Sequence, residues 1–147
     1  MTIREHPLAW RWTDAKHAIL PEATLAQMQA LEEVEAKQLN QKSLDFLAGE
    51  RLSPEKFPTI ACHSADVLLE VGRSWLRDQQ SDLTAQVFIS WQEDLAIRTT
   101  WDIFTAHWDA FCYPSSDDVA IWPDSEQWIV FYHHYEEFEF GSKRLSR

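Results

Sequence analysis

The strongest periodic signal along the chain is Trp101, Phe104, Trp108 and Phe111, spaced 3, 4 and 3. Apolar residues at that spacing fall on one side of a helix. Thr99 or Thr100 can cap its start, and Pro114 stops the chain just past its end. A second helix is predicted from Pro21, a residue suited to the first helical turn, with Leu25, Met28, Leu31 and Leu39 as its apolar side. It bends near Asn40 and resumes through Leu44, Phe46 and Leu47 before Gly49. A third is predicted after Ser64 as N-cap, with Asp66 in its first turn and Leu68, Val71 and Trp75 at i, i+3 and i+7. Gly72 inside it costs about 1 kcal/mol relative to Ala, which marks a place where another element comes close.

The remaining apolar runs read as strands. Val87, Ile89 and Trp91 alternate with Gln86, Phe88 and Ser90, and Leu95 to Arg98 returns after a turn at Gln92-Glu93-Asp94. Val119 to Trp122 is a short strand, followed by a turn over Pro123-Asp124-Ser125-Glu126. Trp128 to Tyr132 is apolar on both sides, as expected of a central strand. Phe138 and Phe140 alternate with Glu137 and Glu139, which predicts a half-exposed strand ending at Gly141. The order is helices, strands, one helix, then strands. That predicts an α+β fold: a mainly antiparallel sheet of about four to five strands with two to three helices packed on it. The expected organisation is one domain over residues 1–147, with a frayed basic tail from Ser142 to Arg147.

Composition narrows the function classes. With 147 residues and 45% hydrophobic content, a core is expected and intrinsic disorder is not. No apolar run is long enough to span a membrane, and the N-terminus shows no secretory h-region, so a cytoplasmic protein is expected. Cys62 and Cys112 read as two small buried thiols in a reducing compartment. The net charge of −11 disfavours nucleic acid and anionic membranes as partners.

The charge is regional. Residues 1–73 carry 11 acids and 8 bases, whereas residues 74–147 carry 13 and 5. Between Thr99 and Gly141 there are nine acids and no Lys or Arg. Four of the eight Trp lie in the same stretch: Trp101, Trp108, Trp122 and Trp128. This predicts an acidic, aromatic-rich surface that steers a cationic protein partner. Its candidate contact residues are Asp117, Asp118, Asp124, Glu126, His134, Glu136, Glu137 and Glu139. Trp122, at a hairpin edge beside Pro123, is the candidate anchor.

Chemistry-bearing patterns are sparse. His133 and His134 cannot serve one site from adjacent strand positions without a bulge. Either of them, with Asp117, Asp118 or Glu136, is the alternative reading as a small metal-dependent hydrolase. No HxxxH, HExxH or paired-Cys pattern accompanies them. Ser115-Ser116-Asp117-Asp118 reads as a turn, and no glycine-rich phosphate loop exists among three glycines. No catalytic, cofactor or metal residue is assigned. A further alternative is a small-molecule binding module with a Trp-lined pocket.

The stretch Trp101/Phe104/Trp108, then Phe111-Cys112-Tyr113-Pro114-Ser115-Ser116-Asp117-Asp118, then Trp128, His134, Glu136-Glu137 and Phe140-Gly141 resembles a family of small acidic cytosolic proteins of gammaproteobacteria. That family has no established function. The layout is also similar in style to immunity proteins that neutralise secreted bacterial toxins. The likeness implies a non-enzymatic α+β binding protein.

Overall fold

The computed structural model describes residues 1–144. A short 3-10 turn (Ile3–Glu5) opens the chain. It is followed by α1 (Trp10–Thr13), β1 (Ala18–Ile19), α2 (Glu22–Leu25), β2 (Gln29–Ala30) and α3 (Glu33–Asp45). Next come β3 (Leu47–Ala48), β4 (Arg51–Leu52), β5 (Thr59–Ser64), α4 (Leu69–Gln79), β6 (Gln86–Gln92) and β7 (Leu95–Thr100). The chain closes with α5 (Trp101–Ala106), α6 (Trp108–Phe111), β8 (Val119–Pro123), β9 (Trp128–His133) and β10 (Glu137–Ser142).

The α+β class is right, but the element count is not. Among the described residues there is a seven-stranded antiparallel sheet, in the order β2-β7-β6-β8-β9-β10-β5, plus the two-stranded β3-β4 hairpin and six α-helices. Four to five strands and two to three helices were expected. Much of the excess comes from elements two to four residues long, which carry no readable period.

Strand alternation divides the apolar residues between two layers. In β9, Trp128, Val130 and Tyr132 join one core, with Trp12, Leu76, Trp101, Phe104 and Phe111 from the helices. Ile129 and Phe131 join a second core, with Ala120 and Trp122 of β8 and Phe46, Leu52 and Phe57 from the hairpin region. Helices α1, α4, α5 and α6 therefore cover one face. Helix α3 and the β3-β4 hairpin cover the other, on which β6 and β7 meet α3. The prediction that β9 is central and buried on both sides holds, since all six of its residues are buried.

Three predicted helices are redrawn. The helix expected from Pro21 onward is cut into α2 and α3, because Gln29 and Ala30 pair with Arg98 and Ile97 of β7 instead. The carbonyl of Gln27 also accepts from Thr99 Oγ1 at 3.0 Å. The helix expected after Ser64 begins later, because Ser64 still belongs to β5 and pairs with Glu137. Of its predicted stripe, Leu68 and Val71 are exposed, and Gly72 and Leu76 take the inward positions instead. The aromatic helix is broken at His107, where the backbone leaves the helical region. Arg73 Nη2 takes the freed Ala106 carbonyl at 2.9 Å, satisfying the helix end. All four aromatic residues of the stripe remain buried, and Thr100 caps α5 by accepting from the Ile103 amide.

Gly72 does mark a close approach. A Cβ there would lie 2.6 Å from the ring of Trp108, whose indole donates to the Leu69 carbonyl at 2.9 Å. Three further indoles donate to backbone carbonyls: Trp12 to Ala110, Trp91 to Phe111 and Trp101 to Gln80. A buried Trp needs such a partner, and here the partners tie strands and helices into one layer. Of the predicted basic tail, Ser142 ends β10 and the Lys143 amide donates to Gln127; Leu145 to Arg147 lie outside the described residues.

Candidate functional site

On the α3 face the cover is incomplete. Between the C-terminal half of α3, the β3-β4 turn and the ends of β6, β8 and β9 lies a groove of about 280 Å³. Leu47, Trp91, Ala120 and Phe131 form its apolar walls. His133 lines it too, continuing the alternation of Ile129 and Phe131. The three-residue turn His134 to Glu136 joins β9 to β10, with Glu136 at φ 67 closing it in the left-handed region. That turn carries Tyr135 to the groove mouth, 50% exposed, opposite Leu44 at 53%.

Beneath the mouth sits a polar network. His133 Nε2 donates to Glu139 Oε1 at 2.7 Å, and the Leu52 amide donates to the same oxygen at 3.1 Å. Arg51 Nη2 contacts Glu139 Oε2 at 3.3 Å and donates to Glu137 Oε1 at 2.6 Å. Arg51 Nη1 donates to the Tyr135 hydroxyl at 2.8 Å. The hydrogen bond to Glu137 pushes the guanidinium pKa up, so Arg51 stays charged. The His133 ring stacks on Tyr135 with centroids 5.0 Å apart. At the rim, Asp118 accepts from the His134 amide at 2.9 Å and from its Nδ1 at 3.0 Å.

The structure disperses the other candidates. Asp117 is buried and binds Arg11 through two contacts of 2.6 and 3.1 Å, while also accepting from the Tyr113 amide. Asp124 pairs with Arg98 at 2.6 Å, and Glu126 with Lys42 at 3.2 Å. Outside the candidate set, Asp102 pairs with Arg77 at 2.9 Å. The base-free stretch therefore borrows its cations from elsewhere in the chain, and most of its acids are not a free field. Trp122 is no surface anchor, being 1% exposed against Phe46 and Phe88. Glu139 is not half-exposed but buried, because it serves His133, Leu52 and Arg51 at once.

Cys62 is also corrected, from buried to exposed, on β5. Partial burial and the nearby Glu137 and Glu139 push its thiol pKa up, which keeps it protonated and a poor nucleophile. Cys112 is buried, and burial pushes its thiol up strongly. Among the described residues, no three His, Cys, Asp or Glu side chains come together to hold a metal ion. His133 and His134 diverge, one buried and one exposed. A wider cleft of about 900 Å³ beside β5 and β10 has Trp128 as its single Trp, as the groove has Trp91, so neither cavity has a wall of Trp.

Arg51, Tyr135 and Glu50 are not singled out by the sequence, and Leu44 enters it only as a residue of the predicted helix. Arg51 sits in a two-residue strand ahead of two prolines, and Glu50 and Tyr135 lie in turns. The sequence offers no periodic signal for these three. No helix among the described residues is long and apolar enough to cross a membrane. No family model matches the chain, and a search of the curated proteins finds no relative.

Proposed function

We propose that this chain is a non-enzymatic, cytoplasmic binding protein that engages a cationic protein partner, with an immunity-type role as its most concrete form. The observation that carries this reading is the groove beside His133. It is the place where an apolar floor, exposed Leu44 and Tyr135, and carboxylates in excess over cations meet. Around it, Glu50, Asp118, Glu137 and Glu139 stand against the single guanidinium of Arg51. An apolar centre with a polar, charged rim is the usual anatomy of a protein interface. The overall charge of −11 adds long-range attraction for a basic partner. The resemblance to small acidic gammaproteobacterial proteins and to immunity proteins agrees with this reading. The metal-hydrolase alternative has no cluster to support it among the described residues.

The test is affinity capture at low and high salt, followed by reconstitution of the complex from purified components. A basic protein that forms a stoichiometric complex, weakened by salt, supports the proposal. A neutral or acidic partner, or a complex indifferent to salt, overturns it.

A further inference from the structure

We propose that two copies of this chain pair through β5, edge to edge and antiparallel, about a two-fold axis at Cys62. The two seven-stranded sheets then become one continuous sheet.

The edge is open to a further strand. The outer strands of the sheet are β2 and β5. β2 is only two residues long, which offers little to pair with. β5 is six residues, Thr59-Ile60-Ala61-Cys62-His63-Ser64, with no Lys, Arg, Asp, Glu or Pro. Its register with β10 runs without a shift, whereas that of β6 with β7 is broken between Ser90 and Gln92. Charges, prolines and bulges are what keep an edge from pairing, and β5 has none of them. Cys62 and Ser64 are exposed along it.

The backbone sets the register. The Ala65 amide donates to the Glu136 carbonyl at 2.9 Å. Bonded and non-bonded positions alternate along an antiparallel ladder. Thr59, Ala61 and His63 therefore turn their N–H and C=O groups to β10, and Ile60, Cys62 and Ser64 turn theirs outward. The Ser64 carbonyl meets His63 Nδ1 at 2.7 Å and keeps a second lone pair. Setting Cys62 against Cys62 of the second copy puts Ile60 opposite its Ser64, and Ser64 opposite its Ile60. All three outward residues are then paired. A two-residue slip one way sets Ser64 against Pro58, which has no N–H. The opposite slip sets Ile60 against Asp66, whose amide already donates to Ser64 Oγ at 3.1 Å. In the chosen register Ala61 faces His63 of the second copy, and the small side chain leaves room for the ring.

Charge selects a second copy as the occupant. At the Thr59 end, Lys56 precedes the strand, and Lys143 and Arg144 follow Ser142, the β10 partner of Thr59. The Arg144 carbonyl accepts from Thr59 Oγ1. At the Ser64 end stand Asp66 and Glu136. Lys56, Lys143, Asp66 and Glu136 have no ion-pair partner among the described residues. Antiparallel pairing lays the basic end of one strand against the acidic end of the other, in both directions at once.

The experiment combines sedimentation with residue-resolved hydrogen exchange on the full chain. Salt of about 0.15 M shortens the Debye length to about 8 Å and screens the repulsion between two copies of charge −11. One strand pair is a small interface, so a monomer is expected at about 20 µM and a dimer at about 500 µM. The amides of Ile60, Cys62 and Ser64 gain protection at the higher concentration. Those of Thr59, Ala61 and His63 are protected equally at both. Cys62→Pro removes the central outward donor and abolishes the dimer. Cys62→Lys opposes two ammonium groups at the axis and does the same, which decides the matter if the proline variant does not fold. A monomer at both concentrations overturns the proposal. So does a dimer whose outward amides stay unprotected, or one that survives Cys62→Lys. Protection that appears only when a different protein is added also overturns it and gives the edge to that protein.

Discussion

On the side of the sheet facing α4, α5 and α6, large aromatic residues close the layer and four indoles bond backbone carbonyls across it. On the side facing α3, closure depends on a hairpin, one helix and a charged network around Glu139, and a groove is left open. Both sides begin from the same strands with the same period-two alternation. The difference lies in what their residues are used for. Trp101, Trp108 and Phe104 bury area and fix the fold. Glu139 and His133 lie buried beneath a surface opening, and Arg51 links Glu139 to Glu137 and to the exposed Tyr135. On the proposed binding reading, the first face carries stability and the second recognition.

Breaking the aromatic face should cost most. Trp101→Ala removes a fully buried ring and its bond to Gln80, with an expected loss of about 3–5 kcal/mol in urea unfolding. Partner binding by the fraction still folded should persist. Asp117→Ala, which strands the Arg11 guanidinium under the aromatic ring of Tyr113, should cost about 3 kcal/mol or more by the same measurement. A loss below 1 kcal/mol would mean that this pair contributes little to closure. Gly72→Ala drives a methyl into Trp108 and should cost about 1–3 kcal/mol.

A smaller, pH-dependent effect separates the faces further. His6 is packed between Trp12 and Trp91, accepts the Leu8 amide and donates to the Ala96 carbonyl. Burial pulls its pKa below the ordinary 6.5. The unfolded chain therefore takes up a proton that the folded chain resists as pH falls below 6.5. Stability from this group is complete above that value and declines beneath it. His107 acts in the same direction, through burial and then the charge of Arg73. Denaturant midpoints measured across this range should fall toward acid, and the slope should be shallower in His6→Gln. A midpoint that rises on acidification would contradict the assignment.

The sequence was most informative where the pattern was long. The pairing of β6 with β7, the central position of β9 and the caps on the aromatic helix follow from alternation and spacing alone. The two-residue strands did not, because two residues define no period and their place is decided by the edge they join. The charge reading failed for a related reason. The acids at Asp102, Asp117, Asp124 and Glu126 form a run in sequence, but the fold brings Arg77, Arg11, Arg98 and Lys42 to them from remote positions. Asp118 and His134 pair with each other at the groove rim, while Glu137 and Glu139 are held by Arg51, which lies more than 80 residues before them. Trp122 looked exposed from its place at a turn, and strand alternation put it in the second core instead.

The contrast between faces is tested most directly by comparing two surface variants for affinity to the reconstituted partner. Leu44→Ala with Tyr135→Ala strips the groove mouth. Trp10→Ala strips the exposed aromatic residue of the opposite face, 41% accessible beside His17 and Tyr113. All three side chains are exposed but make ring or hydrogen-bond contacts, so each variant should lose no more than about 1–2 kcal/mol of stability and remain folded. The account predicts that the groove variant loses affinity by about tenfold or more, while Trp10→Ala stays close to the parent. A parent-like groove variant alongside a weakened Trp10→Ala would contradict it and move recognition to the helical face.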